Sequence, residues 1–480
     1  MSAAPLAIVG LGPAGLDRLS HRALALLDDP QRTVLCRTLR HPAAAELAAR
    51  RDVLSCDDLY ETADSFDDVY AAIADRVLGS AGPVVYAVPG SAVVGERAVT
   101  EIRKRAGAEV IPGESFLDLV YVEAGIDPIN TPVKILDGRD LPDPLVFDAA
   151  LIIAQVDRSE VLGDAAAELS RVLPDETPVL VLDRLGDIDQ VVISLPLCEL
   201  SSFEPGERTS LFLHPEPAGW YGLVVTNRIL RRECPWDRKQ THHSLVSHLI
   251  EETYETVDSL RALPAEAPGG DPDYGAYAEV EEELGDLLLQ VVFHATLASE
   301  VGAFDVEEVA ETTRRKLVHR HPHVFGAVVA EDAETVITNW ETIKGEEKRR
   351  ESLMDDIPTA MPALVRADKM QRRAKSVGFD WQDPAPVFAK IREELDELAA
   401  ESDDPVRATE EFGDLLFAAV NLSRHLGVDP ELALAGASDR FESRIRHMEA
   451  AADASGKALG DMDLDELDAM WEQAKEGLES

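Results

Sequence analysis

The sequence is poor in cysteine, aromatic residues and positive charge. It has four cysteines in 480 residues, and none is spaced as Cys-x-x-Cys. Scattered cysteines fit reduced thiols in a cytoplasmic protein better than a disulfide framework or a zinc site. Lysine and arginine number 46 against 91 acidic residues, which gives a net charge of −45. So acidic a chain argues against sequence-independent binding to nucleic acid.

Long hydrophobic runs and phosphate-loop motifs are also missing. No apolar stretch is long enough to span a bilayer, and the N-terminus lacks a charged segment followed by an apolar one. We therefore expect neither membrane association nor a signal peptide. No GxxxxGK[ST] motif is present, which argues against an ordinary ATPase. The length predicts two to four domains, and 45% hydrophobic residues can supply their cores.

The chain changes character near residues 215–225. Before this point, short β-branched apolar runs alternate with helical stretches, which predicts an α/β domain with a largely parallel sheet over residues 1–215. Beyond it, amphipathic helical patterns dominate and strand signals almost vanish. We expect a linker at Leu213–Gly222 and two all-α repeats at 222–350 and 360–480. The predicted buried strands are Leu6–Val9, Val84–Val88, Leu151–Ala154, Pro178–Leu182 and Val191–Ile193.

The helical half contains one carboxylate pattern twice. The copies are Glu251-Glu252-x-x-Glu255 with Glu283-x-x-Asp286, and Glu393-Glu394-x-x-Glu397 with Glu411-x-x-Asp414. Residues three or four apart share a helix face, so each motif places like charges side by side. Two such pairs on packed helices repel unless a cation lies between them, and carboxylate oxygens suit Mg²⁺. A single copy is more often solvated helix surface, but the duplication favours a metal site.

Apolar residues flank both acidic motifs, and we expect them to be buried. They are Leu284, Leu287, Leu288, Val291 and Val292 in the first copy and Phe412, Leu415, Leu416 and Val420 in the second. Gly285 and Gly413 interrupt these helices, each at a cost of about 1 kcal/mol relative to alanine. Close approach of another helix beside the metal would explain both glycines.

Each acidic set is followed by a basic pair one helical turn apart and then by Trp-x-x-x-Lys. The residues are Lys316, Arg320, Trp340 and Lys344 in the first copy and Arg440, Arg444, Trp471 and Lys475 in the second. Arginine and lysine at this spacing can hold a polyphosphate. Each tryptophan could stack on a base, although burial in a core is its commoner role. A unit repeated in this order predicts a duplicated helical module.

Two glycine motifs follow predicted strands in the N-terminal half. They are Gly10-Leu11-Gly12-Pro13-Ala14-Gly15 and Pro89-Gly90-Ser91. Folds of the α/β class bind ligands at the carboxyl ends of their strands. Structural turns would explain either motif equally well. The first only loosely resembles a dinucleotide fingerprint, because Pro13 does not fit the usual run into a helix.

The helical half closely resembles MazG-type nucleoside triphosphate pyrophosphohydrolases over about residues 222–478. Besides the acidic repeats, the resemblance is carried by Cys234-Pro235-Trp236-Asp237, His321-Pro322-His323-Val324-Phe325, Asn339-Trp340-Glu341 and Val377-Gly378-Phe379-Asp380-Trp381. It implies an all-α fold and a homodimer that completes four-helix assemblies around the metal. It also implies Mg²⁺-dependent hydrolysis of nucleoside triphosphates to monophosphate and pyrophosphate, with a housekeeping role in the nucleotide pool.

The MazG resemblance also implies roles for individual residues. It assigns Mg²⁺ to two sets of carboxylates, namely Glu252, Glu255, Glu283 and Asp286, and Glu394, Glu397, Glu411 and Asp414. Glu251 and Glu393 are left over, and we expect them to orient or deprotonate water. The two basic pairs, with the lysines and tryptophans that follow them, become the phosphate and base contacts. Lys390, one turn before Glu394, is a further candidate for phosphate binding.

The N-terminal half resembles tetrapyrrole methylases, which bind S-adenosylmethionine. The glycine motif after the first strand and Tyr86-Ala87-Val88-Pro89-Gly90 carry this resemblance. It implies that Gly10, Gly12, Pro89 and Gly90 contact the cofactor. The family's first loop commonly reads GxGPGDPxLLT, from which this chain departs after Pro13, and Ser91-Ala92 replaces a frequent His-Pro.

Three functions are therefore open. The first is a nucleoside triphosphate pyrophosphohydrolase. The second is an S-adenosylmethionine-dependent methyltransferase whose helical half regulates or oligomerises. The third is a nucleotide sensor without catalysis.

Overall fold

The computed structural model describes residues 6–62, 65–326 and 352–478, together with 332, 335, 336, 340 and 343. The chain forms two compact units, Met1–Thr312 and Thr313–Ser480. Both β-sheets lie in the first unit, and the described residues after β10 (Ser210–Leu213) form helices and loops only. The expected α/β N-terminal half and all-α C-terminal half are confirmed.

The N-terminal half alternates strands and helices. The remaining strands are β1 (Leu6–Gly10), β2 (Thr33–Cys36), β3 (Leu54–Ser55), β4 (Val84–Val88), β5 (Glu109–Ile111), β6 (Val133–Asp137), β7 (Ala150–Ala154), β8 (Pro178–Asp183) and β9 (Val191–Pro196). The helices are α1 (His21–Leu27), α2 (Pro42–Ala48), α3 (Asp57–Thr62), α4 (Phe66–Leu78), α5 (Arg97–Arg105), α6 (Phe116–Ala124) and α7 (Ser159–Ser170). Short 3-10 helices lie at Leu16–Arg18 and Leu197–Ser202.

The first sheet is wholly parallel, in the order β3-β2-β4-β1-β5. Every residue of β1 and β4 is buried, because helices cover both faces and two hydrophobic clusters form on either side. Continuous apolar runs are the expected sequence of such strands. The carboxyl ends of β1 and β4 are neighbours, which brings the two glycine motifs together.

The second sheet corrects two expectations. Its order is β6-β7-β10-β8-β9, and only β6 and β7 are parallel, so the prediction of a largely parallel sheet holds for the first sheet alone. Strand β9 lies at the edge, where Val192 and Ile193 are 37% and 40% exposed rather than buried. An apolar run does not by itself distinguish an edge strand from a central one.

Long helices build the rest of the chain. They are α8 (Gly219–Glu233), α9 (Val246–Ala262), α10 (Tyr274–Glu300), α11 (Val306–Arg320), α12 (Pro322–Phe325), α13 (Ala363–Lys375), α14 (Ala385–Ala400), α15 (Pro405–His425), α16 (Pro430–Ser455) and α17 (Leu464–Leu478). Two 3-10 helices lie at Asp237–Lys239 and Leu459–Asp461. Because α8 begins at Gly219, the linker predicted at Leu213–Gly222 is too long.

Side-chain caps fix where the long helices begin. Asp273, Asp404 and Asp429 each accept hydrogen bonds from backbone N–H groups of the first helical turn. Pro405 and Pro430 follow two of these caps at the first helical position, where a missing N–H costs nothing.

The same three-helix arrangement occurs in each repeat. In the first, α10 packs against α9 and α8, and in the second, α15 packs against α14 and α13. Helix α13 also packs against α16, and α16 packs against α17. In the described part of the chain, no helix combines the length and the apolar character needed to cross a bilayer.

The apolar flanks of the acidic motifs are only partly buried. Val292 and Val420 are buried as expected. However, Leu284, Leu288, Val291, Phe412 and Leu416 are exposed. A Cβ atom added at Gly285 or Gly413 would meet nothing within 4 Å, so no helix of the described chain lies against either glycine. The expectation that these apolar flanks are all buried is wrong, and the expected close approach of a helix is not made by the described part of this chain.

Candidate metal and phosphate sites

The first carboxylate cluster lies between α9 and α10. One carboxylate oxygen from each of Glu252, Glu283 and Asp286 lies within 4.8 Å of the other two. The hydroxyl of Thr256 joins the two helices here, since it lies 2.7 Å from the Glu252 carbonyl oxygen and 3.2 Å from that of Glu283. Burial raises the pKa of Glu252, and the carboxylates of Asp286 and Glu255 raise it further. The cluster therefore concentrates negative charge that a cation would stabilise.

The second cluster repeats this geometry between α14 and α15. Oxygens of Glu394, Glu411 and Asp414 again lie within 4.8 Å of one another. Glu394 is only 5% exposed and Glu411 9%. Buried carboxylates require a partner, and here basic side chains supply part of it. The Nζ atom of Lys390 lies 2.7 Å from Glu394, and Arg407 lies 3.1 Å from Glu411.

The fourth predicted ligand of each set is not one of the three carboxylates that converge. Glu255 and Glu397 are exposed and are not among the three carboxylates within 4.8 Å. Both remain electrostatic neighbours of the clusters. Burial raises the pKa of Glu283, and the charge of Glu255 raises it further. Burial likewise raises the pKa of Glu397, and the charge of Glu394 raises it further. Their assignment as ligands stays a prediction.

The left-over glutamates stand beside the clusters on the solvent side. An oxygen of Glu251 lies 3.7 Å from Nδ1 of His248. An oxygen of Glu393 lies 2.8 Å from Nζ of Lys390. Both carboxylates are more than half exposed, so water reaches them. Their role in orienting or deprotonating water stays a prediction.

Each basic pair contributes one arginine that stacks on the tryptophan of its own repeat. The guanidinium carbon of Arg444 lies 5.3 Å from the centre of the Trp471 ring, and Arg320 lies 5.3 Å from the Trp340 ring. Phe441 packs on Trp471 at the same centroid distance. The order of these residues is evident from the sequence but this contact is not, because Arg444 and Trp471 lie on different helices. Recurrence of Arg before Trp in both copies was the available signal.

Further predicted phosphate-binding residues are Lys316, Arg440, Lys475 and Lys344. Lys316 and Arg440 are exposed on α11 and α16. The Nζ atom of Lys475 lies 2.6 Å from Glu472, three residues earlier on α17. Lys344 lies outside the described residues. In the second repeat the acids stand on α14 and α15 and the Arg444–Trp471 pair on α16 and α17, and α13 packs against both α15 and α16.

The two glycine motifs meet in the N-terminal half. Gly12 and Gly90 exchange backbone hydrogen bonds of 3.0 and 2.8 Å, and both have positive φ. A Cβ atom at Gly10 would lie 1.9 Å from the carbonyl oxygen of Pro112. Only glycine fits at position 10, because the protein's own backbone leaves no space for a Cβ atom there. A Cβ atom at Gly90 would meet open space. Turn geometry thus accounts for Gly10 and Gly12, and Gly90 remains available to a ligand.

A cleft of about 650 Å³ opens beside Gly90. Pro13, Pro89 and Gly90 line it, as do Phe116 and residues that follow β7 and β8. It thus lies at the carboxyl ends of strands from both sheets, where α/β folds bind ligands. Of the four predicted cofactor contacts, Pro89 and Gly90 line the cleft, and Gly10 and Gly12 support its wall.

Sequence reasoning assigned no role to two buried polar groups in the cleft wall, Glu96 and His41. Glu96 is 8% exposed and pairs with Arg37 through one oxygen, while its other oxygen has no partner. Burial raises the pKa of Glu96 to about 7 against the opposing effect of Arg37. His41 is 6% exposed, and both ring nitrogens lack partners. Burial, and then the charge of Arg208, lowers the pKa of His41 to about 4.

The cleft is acidic overall. Six carboxylate residues and four arginines line it and the pocket that shares its wall. The arginines Arg37, Arg40, Arg139 and Arg208 each pair with a carboxylate. With more carboxylates than arginines in its lining and open space beside Gly90, the cleft suits a ligand that carries positive charge.

Comparison with known proteins matches two parts of the chain to two different families. Residues 5–201 match the tetrapyrrole (corrin/porphyrin) methylases, and residues 240–325 match the MazG nucleotide pyrophosphohydrolase domain. The two matches fall on the α/β half and on the first helical repeat. They confirm the two resemblances drawn from the motifs.

Individual relatives agree with this division. The chain is 36% identical over 499 residues to the uncharacterized protein YabN of Bacillus subtilis, with 99% of each chain covered. It is 46% identical over 249 residues to the nucleoside triphosphate pyrophosphohydrolase/pyrophosphatase MazG of Thermotoga maritima, which covers 52% of this chain and 91% of that protein. Among solved structures, uroporphyrin-III C-methyl transferase from Thermus thermophilus complexed with S-adenyl homocysteine matches with a TM-score of 0.34 and 17% identity, over 43% of this chain and 96% of that chain.

Proposed function

Since the chain belongs to the family of YabN and itself joins a tetrapyrrole methylase domain to a MazG domain, we propose that its helical half hydrolyses nucleoside triphosphates to monophosphate and pyrophosphate with Mg²⁺. The observation that carries the proposal is the duplicated convergence of three carboxylates between packed helices. The related MazG of Thermotoga maritima, a nucleoside triphosphate pyrophosphohydrolase/pyrophosphatase by name, supports the hydrolytic activity.

The residues of each cluster fit a hard divalent cation. Three carboxylate oxygens meet between two helices, and oxygen donors are those that Mg²⁺ prefers. Bound there, Mg²⁺ would lower the pKa of water and neutralise phosphate oxygens. Burial raises the pKa of Glu252 and Glu283, and the neighbouring carboxylates raise both pKa values further.

The remaining side chains have separate roles in the proposed reaction. Glu251 and Glu393 accept the proton of the attacking water, because they stand next to the clusters and remain accessible to solvent. Attack at the α-phosphorus expels pyrophosphate, whose charge needs cationic partners. Arg320 and Arg444, each held by a tryptophan ring, offer a planar fork of donors for its oxygens. The exposed Lys316 and Arg440 stand one turn before them.

We also propose that two copies of the chain associate through the helical half. Exposed apolar residues recur at helical spacing beside the first cluster, at Leu284, Leu288 and Val291 on α10 and at Val246, Ile250 and Tyr254 on α9. Phe412 and Leu416 repeat this on α15. Apolar patches of this kind mark interfaces, and the open space at Gly285 and Gly413 admits a partner helix.

The experiment is a paired removal of ligands. Glu252→Gln combined with Glu394→Gln keeps side-chain size but removes one charge from each cluster. Pyrophosphate release from a panel of ribo- and deoxynucleoside triphosphates should fall by at least about a thousandfold, as expected when transition-state charge stabilisation is lost. Glu442→Gln, an exposed carboxylate paired with Arg446, is the control and should retain activity. Full activity of the double variant would place the site elsewhere.

The acidic cleft favours a second function. We propose that it binds S-adenosylmethionine, a sulfonium with an amino group, because carboxylates outnumber arginines in its lining and the space beside Gly90 is open. Calorimetric titration with S-adenosylmethionine and with S-adenosylhomocysteine tests this directly. Binding that weakens in Glu96→Gln is expected. If neither compound binds to the unmodified protein, methyl transfer at this cleft is excluded.

A further inference from the structure

The two carboxylate clusters differ in the residues one helical turn before their ligands. In the second cluster, Lys390 Nζ lies 2.7 Å from Oε1 of Glu394, and Arg407 lies 3.1 Å from Oε1 of Glu411. Both pairs join residues four apart, which face each other on one helix. Each helix of this cluster therefore brings a cation to its own ligand carboxylate. Because Lys390 also contacts Glu393 at 2.8 Å and Arg407 also contacts Glu410 at 3.0 Å, two of the three converging charges are partly neutralised.

The first cluster has different residues at the same positions. His248 stands four residues before Glu252, and its contact is to Glu251, at 3.7 Å. Glu279 stands four residues before Glu283 and adds a negative charge in place of Arg407. Within the residues that the structure describes, no ion pair reaches Glu252, Glu283 or Asp286. A divalent cation thus meets three uncompensated carboxylates in the first cluster, whereas in the second two of the three carboxylates contact a cationic side chain.

Burial strengthens the effect of Lys390. Glu394 is 5% exposed, so its attraction to the ammonium group is less screened than at a surface pair. A divalent cation that approaches Glu394 meets the like charge of Lys390 on the same oxygen. Lysine is a flexible point charge with three donors, and a phosphate oxygen offers it an alternative partner.

We propose that the first cluster takes up a divalent cation in the nucleotide-free protein, whereas the second takes one up only together with a nucleoside triphosphate. The triphosphate oxygens draw Lys390 away from Glu394 and leave that carboxylate to the metal. Lys390 acts as a positioning residue, which exchanges one anionic partner for another. This inference rests on the proposed function, because it requires that the helical half bind nucleoside triphosphates.

Metal binding by the full chain tests the inference without relying on turnover. Mn²⁺ serves as a paramagnetic stand-in for Mg²⁺, and its unbound fraction is measured by electron paramagnetic resonance. Glu411→Gln leaves the first cluster intact, and Glu283→Gln leaves the second. Without nucleotide, Glu411→Gln should bind Mn²⁺ at least about tenfold more tightly than Glu283→Gln, because two fewer cations oppose the metal. Adding α,β-methylene-ATP, which resists cleavage, should restore tight Mn²⁺ binding in Glu283→Gln.

Substitutions at Lys390 and at His248, which occupy equivalent positions in the two clusters, provide a matched test. Lys390→Gln in the Glu283→Gln background should tighten nucleotide-free Mn²⁺ binding by about tenfold and abolish the response to α,β-methylene-ATP. His248→Lys in the Glu411→Gln background should weaken Mn²⁺ binding by about tenfold. Circular dichroism of each variant checks the fold. Equal nucleotide-free Mn²⁺ affinity of the two single-cluster variants, or no response to either exchange, overturns the inference.

Failure of the inference can be told apart from failure of the proposed function. The same variants are assayed with Mg²⁺ for pyrophosphate release. Pyrophosphate release with equal Mn²⁺ affinities rejects the inference and leaves the function standing. Unequal Mn²⁺ affinities that respond to both exchanges, with no pyrophosphate from any triphosphate, support the inference and reject hydrolysis.

Discussion

The guanidinium of Arg444 stacks on the ring of Trp471 at 5.3 Å, and Arg320 and Trp340 repeat the contact at the same distance. A cation over an aromatic face is stabilised by the ring quadrupole. The tryptophan therefore restrains the arginine fork. We expect each Trp-x-x-x-Lys motif to position the arginine that we propose to bind phosphate.

Replacement of Trp471 by leucine should raise the KM for the nucleoside triphosphate. The loss of the cation–π contact frees Arg444, at a cost of about 0.5–1 kcal/mol or roughly a two- to fivefold change in KM. The assay uses the Glu283→Gln background, so that turnover reports the second repeat alone. Arg446→Leu, which breaks an exposed pair with Glu442 two residues further along α16, is the control. An unchanged KM for Trp471→Leu would mean that Arg444 does not bind phosphate.

Local spacing was enough to predict the carboxylate clusters. Acidic residues three or four apart share a helix face. Because the pattern occurs twice, a metal site was the better interpretation than a solvated helix surface. Lys390 and Glu394 are also four apart, so their ion pair was equally accessible to sequence reasoning. The Arg444–Trp471 contact was not, because its distance depends on how α16 and α17 pack.

Other failures of sequence reasoning have tertiary causes. The run Val191–Ile193 is apolar like a central strand, but the sheet order places β9 at an edge. Leu284 and Leu288 have the spacing of a buried face, yet they are exposed in one chain. Sequence periodicity shows that a face is apolar but not whether the same chain covers it. The glycine at position 10 is fixed by Pro112, which is about a hundred residues away.

The exposed apolar residues of α10 predict an association that a single charge should disrupt. Leu288→Glu places a carboxylate in the proposed interface, where its burial would cost several kcal/mol. Sedimentation velocity should then show a monomer, whereas the unmodified protein should sediment as a dimer. Ile188→Glu, at a fully exposed apolar residue of the N-terminal half, is the control and should leave the dimer intact. A monomeric unmodified protein would contradict the proposed association.

Buried His41 predicts a pH dependence of stability in the N-terminal half. Its pKa is lowered to about 4 in the folded state from an ordinary value of 6.5, so the unfolded chain binds more protons between these values. Stability is therefore fully present above about pH 6.5 and falls as the pH drops to about 4, by up to roughly 1.4 kcal/mol per pH unit.

Urea unfolding between pH 4 and 7 measures this dependence. His41→Gln should reduce the slope of unfolding free energy against pH, because the group that takes up the proton is gone. The exposed His21, replaced in the same way, is the control. A slope that is the same in His41→Gln as in the unmodified protein would show that His41 is not the group that titrates.

The site of bond cleavage tests the central claim most directly. A nucleoside triphosphate is incubated with the protein and Mg²⁺ in water enriched in ¹⁸O, and the products are identified by ³¹P nuclear magnetic resonance. Attack at the α-phosphorus predicts equal amounts of nucleoside monophosphate and pyrophosphate, with the label in the monophosphate. Release of orthophosphate and nucleoside diphosphate, or label in the pyrophosphate, would contradict the account.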